Sequence, residues 1–352
     1  MLITIITFVV ILGVLVFVHE FGHFIVAKIS GIKVEEFAFG FPPRLFSWKK
    51  GETTYAINLI PLGGYVKLLG EEGDSESPDA FNHKSVWTRV SVVVAGVIMN
   101  FILAIVLMTI GFSIGMTPLV SDPATMAGTK ESKVMVIYVQ PNSVAAEAGI
   151  QTNSIINGFS STSDLQQFTR SHLGQQVNLS VVSGGQTKDM TVKLSDSKDS
   201  PLGVGIVPIT KVKQPVWQAF TTSVTETGRA IGALFSFLGT IIKSLFTTGH
   251  AGPAAEGVVG PVGLFNFTAQ AIKVGWIYVL QLVVLLSINL GIVNILPFPA
   301  LDGGKILFLA LEGMFKRKVV RAEIENIIHL VGFALLILLF IAITFKDVKN
   351  FF

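Results

Sequence analysis

The apolar positions of this 352-residue chain fall into two patterns, long unbroken runs and stretches that alternate with polar residues. A bilayer crossing needs about 20 consecutive, mostly apolar residues. Four runs reach that length, at about 2–27, 90–116, 274–296 and 327–345. The first has no basic residue before Lys28 and no small-residue cleavage site, so it reads as a retained helix and not a removable signal. From Val216 to Leu245 apolar residues recur at helical spacing, but Arg229 and Lys243 leave a charge-free stretch too short to cross. An amphipathic helix on the outer membrane surface is expected there.

Period-two alternation marks two further regions. Between residues 32 and 69 it runs through Val34–Phe39 and Thr53–Leu59 and ends at Pro61-Leu62-Gly63-Gly64-Tyr65, which predicts membrane-associated β-hairpins. Residues 120–210 are polar, with alternating runs at Val134–Val139, Val177–Val182 and Met190–Leu194 and a turn at Ser183-Gly184-Gly185. They predict a strand-rich domain with one or two short helices. The expected organisation is an N-terminal membrane part (1–119), the inserted domain (120–210), the amphipathic helix and a linker (211–270), and a C-terminal membrane part (271–352). The fold class is thus a polytopic α-helical membrane protein with four transmembrane helices, a membrane-associated β-hairpin region and an inserted α+β domain.

Composition sharpens this picture. The chain is 51% hydrophobic and only 14% charged, against about 25% charged in soluble domains. An ordinary cytosolic protein and a disordered one are both excluded. Cysteine is absent, which removes disulfides, thiolate metal sites and cysteine nucleophiles. A net charge of +3 offers no footing for nucleic acid. The basic residues do set orientation. Lys28, Lys33, Arg44, Lys49, Lys50, Lys67, Lys84 and Arg89 separate the first two spans, and Lys305, Lys316, Arg317, Lys318 and Arg321 separate the last two. The positive-inside rule puts both loops in the cytosol, and both termini and the inserted domain outside a cell (inner, cytoplasmic) membrane.

The first span contains His19-Glu20-Phe21-Gly22-His23. Residues four apart share a helix face, so both imidazoles can grip one zinc ion while Glu20 takes a proton from a water molecule. Ionisable groups within a span are costly and usually functional. A catalytic zinc takes three protein ligands and an open position. Asp302, in Asn294-Ile-Leu-Pro-Phe-Pro-Ala-Leu-Asp-Gly-Gly304, is the natural third candidate, because prolines and glycines break the helix there. The first and third spans run in the same direction, so both motifs fall near the cytosolic face. Gly111-Phe-Ser113-Ile-Gly115 matches a nucleophile elbow only as a string, since it sits in an apolar helix. The acidic residues Glu71, Glu72, Asp74, Glu76 and Asp79 read as a solvated loop.

These two motifs resemble the signatures of the site-2 proteases, the intramembrane zinc metalloproteases, and in particular the bacterial regulator-of-sigma-E protease type. Gly63-Gly-Tyr-Val-Lys67, Ala95-Gly96 with Asn100, and Ser287-Ile-Asn-Leu-Gly291 are similar to that family's secondary motifs. The resemblance implies His19, His23 and Asp302 as zinc ligands and Glu20 as catalytic base. It further implies hydrolysis of transmembrane segments near the cytosolic face, in single-span substrates already trimmed by another protease, such as anti-sigma factors or signal-peptide remnants. Asn289 or Asn294 can hydrogen-bond substrate backbone or an oxyanion, and the strand around Gly63 and Gly64 can pair with an unwound substrate. Residues 140–150 resemble a PDZ signature, and Leu202, Gly203, Val204 and Gly205 resemble its carboxylate-binding strand, placed last as in circularly permuted PDZ domains. Asn153-Ser154 stands where that family usually has Gly-Asp. A non-proteolytic membrane scaffold that holds partners through the PDZ-like domain is the alternative. A metal transporter is disfavoured, because the ionisable groups cluster near one side.

Overall fold

The computed structural model describes all residues except Glu72, Asp74, Gly185, Lys198, 251–256, Lys318 and Phe352. Two residues of the acidic run, one of the hairpin turn and one of the basic cluster therefore lie outside the described residues. The chain divides into two compact units, one of residues 1–105, 230–266 and 283–352, the other of residues 106–229 and 267–282.

Helix α1 (Leu2–Ile29) and helix α2 (Val86–Ile114) are apolar nearly throughout. Ile98, Ile102, Val106, Ile110 and Ile114 recur every four residues along α2 and stay exposed, whereas Val93, Val97, Asn100, Ala104, Met108 and Phe112 are buried. One face thus suits lipid and the other packs inside the protein. Gly22 lets α1 and α2 approach closely: a Cβ there would lie 2.4 Å from the Ala95 carbonyl oxygen.

Between these helices run two long strands, β1 (Val34–Lys50) and β2 (Thr53–Leu68), each bent back on itself. Residues 44–50 and 53–58 form the outer hairpin, turning at Gly51 with φ +62°. Glu36, Phe37, Ala38 and Phe39 each pair twice, on one side with residues 54–57 and on the other with residues 64–67. The first half of β1 is therefore central, and residues 64–68 of β2 lie at an edge. No strand pairs with that edge among the described residues.

The later helices are α5 (Val216–Thr248), α6 (Pro261–Val274), α7 (Trp276–Ile295), α8 (Asp302–Phe315) and α9 (Ala322–Phe351). Asp347 near the end of α9 accepts the Gly263 N–H at 2.8 Å, and Lys346 donates to the Val258 carbonyl. The C-terminal end of α9 thereby meets the start of α6. Among the described residues, five helices (α1, α2, α5, α7 and α9) are long and apolar enough to cross a membrane, one more than the four expected. The addition is α5, whose 33 residues continue through Arg229 and Lys243. A charge interrupts a membrane-spanning run but does not break a helix.

The second unit holds a five-stranded antiparallel sheet, in the order β6-β5-β4-β3-β7. Its strands are β3 (Thr129–Val139), β4 (Ile155–Ile156), β5 (Gln176–Ser183), β6 (Gln186–Lys193) and β7 (Val204–Lys213). Helices α3 (Val144–Glu147) and α4 (Thr162–Ser171) complete it, α4 starting in a capping box of Ser161 and Asp164. Val134, Val136, Ile156, Leu165, Leu179 and Leu202 form the core, and each such side chain contributes roughly 1.5–3 kcal/mol on burial. Asn153 adopts φ +68°, a left-handed conformation that asparagine enters more readily than most residues. Glu226 of α5 is fully buried and accepts the N–H groups of Leu119, Val120 and Ser121.

Candidate metal centre

His19 and His23 sit one turn apart on α1 and turn their rings edge to face, with centroids 4.8 Å apart. Asp302 is the first residue of α8 and approaches both. Its Oδ2 lies 3.1 Å from His19 Nε2 and 3.5 Å from His23 Nε2, and the two Nε2 atoms are 3.2 Å apart. A tetrahedral zinc ion with bonds of about 2.0–2.2 Å holds its ligands about 3.3–3.6 Å from one another. The three separations fall within about 0.2 Å of that range, close to one face of such a tetrahedron, and Asp302 Oδ2 is buried without a hydrogen-bond donor among the described residues. The donor set of two imidazoles and one carboxylate fits a catalytic zinc. No other group of three His, Asp or Glu side chains gathers this closely among the described residues.

Each imidazole is oriented from behind. His23 Nδ1–H donates to the Val92 carbonyl at 2.9 Å, which leaves the Nε2 lone pair for a metal. The Asn100 amide nitrogen is placed 3.1 Å from His19 Nδ1, with its Oδ1 buried and unpartnered among the described residues, a pattern that turning the amide over resolves. An amide oxygen turned to that nitrogen accepts its proton and leaves His19 Nε2 free in the same way. Ser287 of α7 donates to the Asn100 carbonyl at 2.7 Å, tying α7 to α2. Gly96 makes room for both rings: a Cβ there would stand 2.3 Å from His23 Nε2 and 2.8 Å from His19 Cε1.

Asp302 owes its place to a break in the chain. Helix α7 ends at Ile295, and Pro297 and Pro299 prevent its continuation. Gly303 and Gly304 then let α8 start in contact with that turn, where added Cβ atoms would come within 2.1 Å of the Leu296 carbonyl oxygen and 2.5 Å of that of Phe298.

Glu20 lines a cavity of about 250 Å³ together with His19, His23, Asp302, Tyr65, Val66, Leu68, Glu71, Val92 and Lys305. The edge segment of β2 forms one wall. Gly64 faces α1 directly, since a Cβ there would lie 3.2 Å from Glu20 Cγ. Gly63 packs instead beneath the Phe41 ring. Tyr65 donates to Glu36 at 2.9 Å, and Lys305 pairs with Glu71 at 2.6 Å across the cavity mouth. Asn294 places its amide nitrogen 3.1 Å from His19 Nε2, beside the metal position. Neither Asn294 nor Asn289, five residues earlier on α7, is among the residues that line the cavity.

The residues expected to form a peptide groove stand elsewhere, in the second unit. Leu202 is buried in the sheet core, and its carbonyl accepts the Ala145 N–H. Gly203 has φ +74° with its Cα pressed on Ser143, while Val204 and Gly205 open the edge strand β7. The Ser113 hydroxyl donates to the Thr109 carbonyl within α2, so the serine of the elbow-like string sits in the last turn of a helix that ends at Ile114.

Sequence reasoning singled out the three converging side chains and the neighbouring carboxylate, but not the Val92 carbonyl, the ring-clearing role of Gly96 or the edge character of residues 64–68. Gly96 and Asn100 carried a signal, their four-residue spacing on an apolar helix, without showing which rings they would meet.

Residues 7–339 match the model of peptidase family M50. A protein of Clostridium acetobutylicum that carries a zinc-metalloprotease name is 36% identical over 342 residues, covering 96% of this chain and 94% of the relative. The zinc metalloprotease RasP of Bacillus licheniformis is 30% identical over 437 aligned positions, covering 99% of each chain. The regulator of sigma-W protease RasP of Bacillus subtilis is 28% identical over 437 positions, again covering 99% of both. Agreement along nearly the whole length joins the helices, the edge strand and the broken turn to one kind of enzyme: this multi-pass membrane protein belongs to peptidase family M50, the site-2 proteases, and is a metalloendopeptidase that uses zinc.

Proposed function

We propose that the chain cleaves peptide bonds within transmembrane segments near the cytosolic face, with His19, His23 and Asp302 holding zinc and Glu20 as the catalytic base. The observation that carries this reading is the convergence of those four side chains in a cavity walled by the open edge of β2. A helical substrate keeps its amides sealed in intrahelical bonds and must unwind before hydrolysis. Residues 64–68 offer the unwound segment a strand to pair with, and Gly64 lets it pass close to Glu20. The chemistry supplied by bound zinc is Lewis acidity toward the scissile carbonyl and toward water. Glu20 takes the proton from the attacking water and returns it to the leaving amine. Asn294, beside His19 Nε2, donates to the carbonyl oxygen as negative charge develops there.

The topology that supports this has four spans, α1, α2, α7 and α9, with both termini outside. Asp302 meets His19 and His23 only if α1 and α7 cross in the same direction. The chain between α2 and α7 must then cross an even number of times. Helix α6 has 14 residues, about 21 Å of helix against a hydrocarbon core of about 30 Å. It cannot provide a return crossing, so α5 lies on the outer surface. The five-stranded sheet with α3 and α4 is then an extracytoplasmic PDZ-like domain, with Leu202, Gly203, Val204 and Gly205 at the head of the groove between β7 and α4. Substrates are single-span membrane proteins pre-trimmed by another protease, and membrane-anchored anti-sigma factors are the first class to test, given the sigma-W name of one relative.

Glu20→Gln decides the mechanism. In purified protein it keeps zinc and lowers cleavage of a membrane-embedded test segment by about 100-fold or more. Normal cleavage by this variant overturns the assignment of the base.

A further inference from the structure

We propose that His329, on the C-terminal helix α9, is a positioning residue for the metal centre: it holds the turn that delivers Asp302. The proposal rests on Asp302 being the third ligand, and it assigns a role to a histidine that the mechanism leaves unused.

The turn between α7 and α8 needs outside support. Its Leu301 N–H closes onto the Phe298 carbonyl at 3.1 Å, and Ala300 sits at φ +74°. An L-residue pays roughly 1–2 kcal/mol in that region, and an alanine side chain has no polar atom with which to offset it. The bond that fixes this conformation comes from α9. The Ala300 N–H donates to His329 Nδ1 at 2.8 Å, only two residues before Asp302.

Two further contacts make this a clamp. Gly332 lies three residues on and shares the His329 face of the helix. A Cβ at Gly332 would stand 2.5 Å from Pro299 Cβ and 2.6 Å from its carbonyl oxygen, so the α9 backbone rests directly on the residue before Ala300. The His329 ring also packs on Phe308 of α8, with centroids 5.7 Å apart. His329 thus touches the chain on both sides of Asp302. Accepting through Nδ1 leaves the ring proton on Nε2, an atom that is buried without a partner among the described residues.

Metal ligands tolerate displacements of only about 0.2 Å. Release of the Ala300 amide lets the turn relax toward a right-handed conformation and swings Asp302 away from the two imidazoles.

The test uses the purified full-length protein, with zinc retention against a chelator and the visible spectrum of the cobalt(II)-substituted form as readouts. His329→Leu is expected to weaken zinc retention about 10–100-fold, the usual cost of losing an outer-shell partner, and to change the cobalt spectrum. Ala300→Gly, which accepts φ +74° without steric cost, is expected to restore most of the retention when added to His329→Leu. A general packing role at position 329 would not be repaired in that way. Wild-type retention and spectrum in His329→Leu overturn the proposal, as does a double variant no better than the single one. If His329→Leu does not accumulate, the double variant decides, because accumulation with zinc supports the clamp and failure overturns it. Asp302→Ala is measured alongside. Zinc retained there removes the ligand assignment, whereas zinc lost there but held by His329→Leu removes only the clamp.

Discussion

In the core of the five-stranded sheet, Val134, Val136, Ile156, Leu165, Leu179 and Val181 are buried almost completely, and none carries a polar side-chain atom. The interior around α1, α2 and α7 looks different. Asn100 and Ser287 are fully buried there and His19 is 7% exposed, among helices that leave large apolar side chains on their outside. A water-soluble domain gains stability by removing apolar surface from water. A membrane helix gains nothing comparable by moving a leucine from lipid to protein, so its interior is free to be spent on close backbone approach and directed hydrogen bonds. The sheet domain also buries Ser154 and Thr169, but its interior is mostly apolar and holds the fold, whereas between the helices the buried polar groups gather around His19.

That contrast can be broken at either end. Gly96→Val, between the helices, forces a side chain onto both imidazoles and is expected to abolish stoichiometric zinc and cleavage while the protein still accumulates in the membrane, as metal analysis and proteolysis of a test segment will show. Retained zinc would mean that the rings have more room than their contacts indicate. Ile156→Ala, in the sheet, is expected to cost about 2–5 kcal/mol of domain stability, read by thermal unfolding or limited proteolysis, with zinc content unchanged. A loss of zinc in this variant would show the two interiors to be one cooperative system. Asn100→Leu falls between them: a nearly isosteric change that weakens zinc retention about 10–100-fold and moves thermal unfolding little. Smallest is Glu35→Gln, which removes an exposed ion pair with Lys67 and should change stability by less than about 1 kcal/mol. A larger effect there would point to a role for the edge strand beyond substrate pairing.

Legibility followed the same division. His19, Glu20 and His23 could be read directly, because a single helix fixes residues one turn apart on one face whatever surrounds it. Asp302 stood out as a candidate because cysteine is absent, the other histidines are scattered, and prolines and glycines break the helix beside it. The β region was visible as alternation between residues 34 and 59, but its shape was not. That the first half of β1 is central, and that residues 64–68 form an unpaired edge, depends on each strand bending back on itself, which alternation does not encode. Helix α5 was legible at nearly its full length from the helical spacing of its apolar residues, and the backbone runs unbroken through Arg229 and Lys243.

By itself, then, the amino-acid order determined the membrane class, the pairing of two imidazoles with a carboxylate, and the family to which they belong, since each follows from local spacing and composition. Only the tertiary structure decided that Val92 orients His23 through a backbone carbonyl, that Gly96 clears both rings, that Gly64 brings an edge strand against Glu20, and that His329 reaches the turn before Asp302. Those relations join atoms from distant segments, and two of them involve main-chain groups that every residue carries. A sequence distinguishes side chains; it has no mark for which carbonyl, or which bare Cα, the fold will turn toward the two imidazoles.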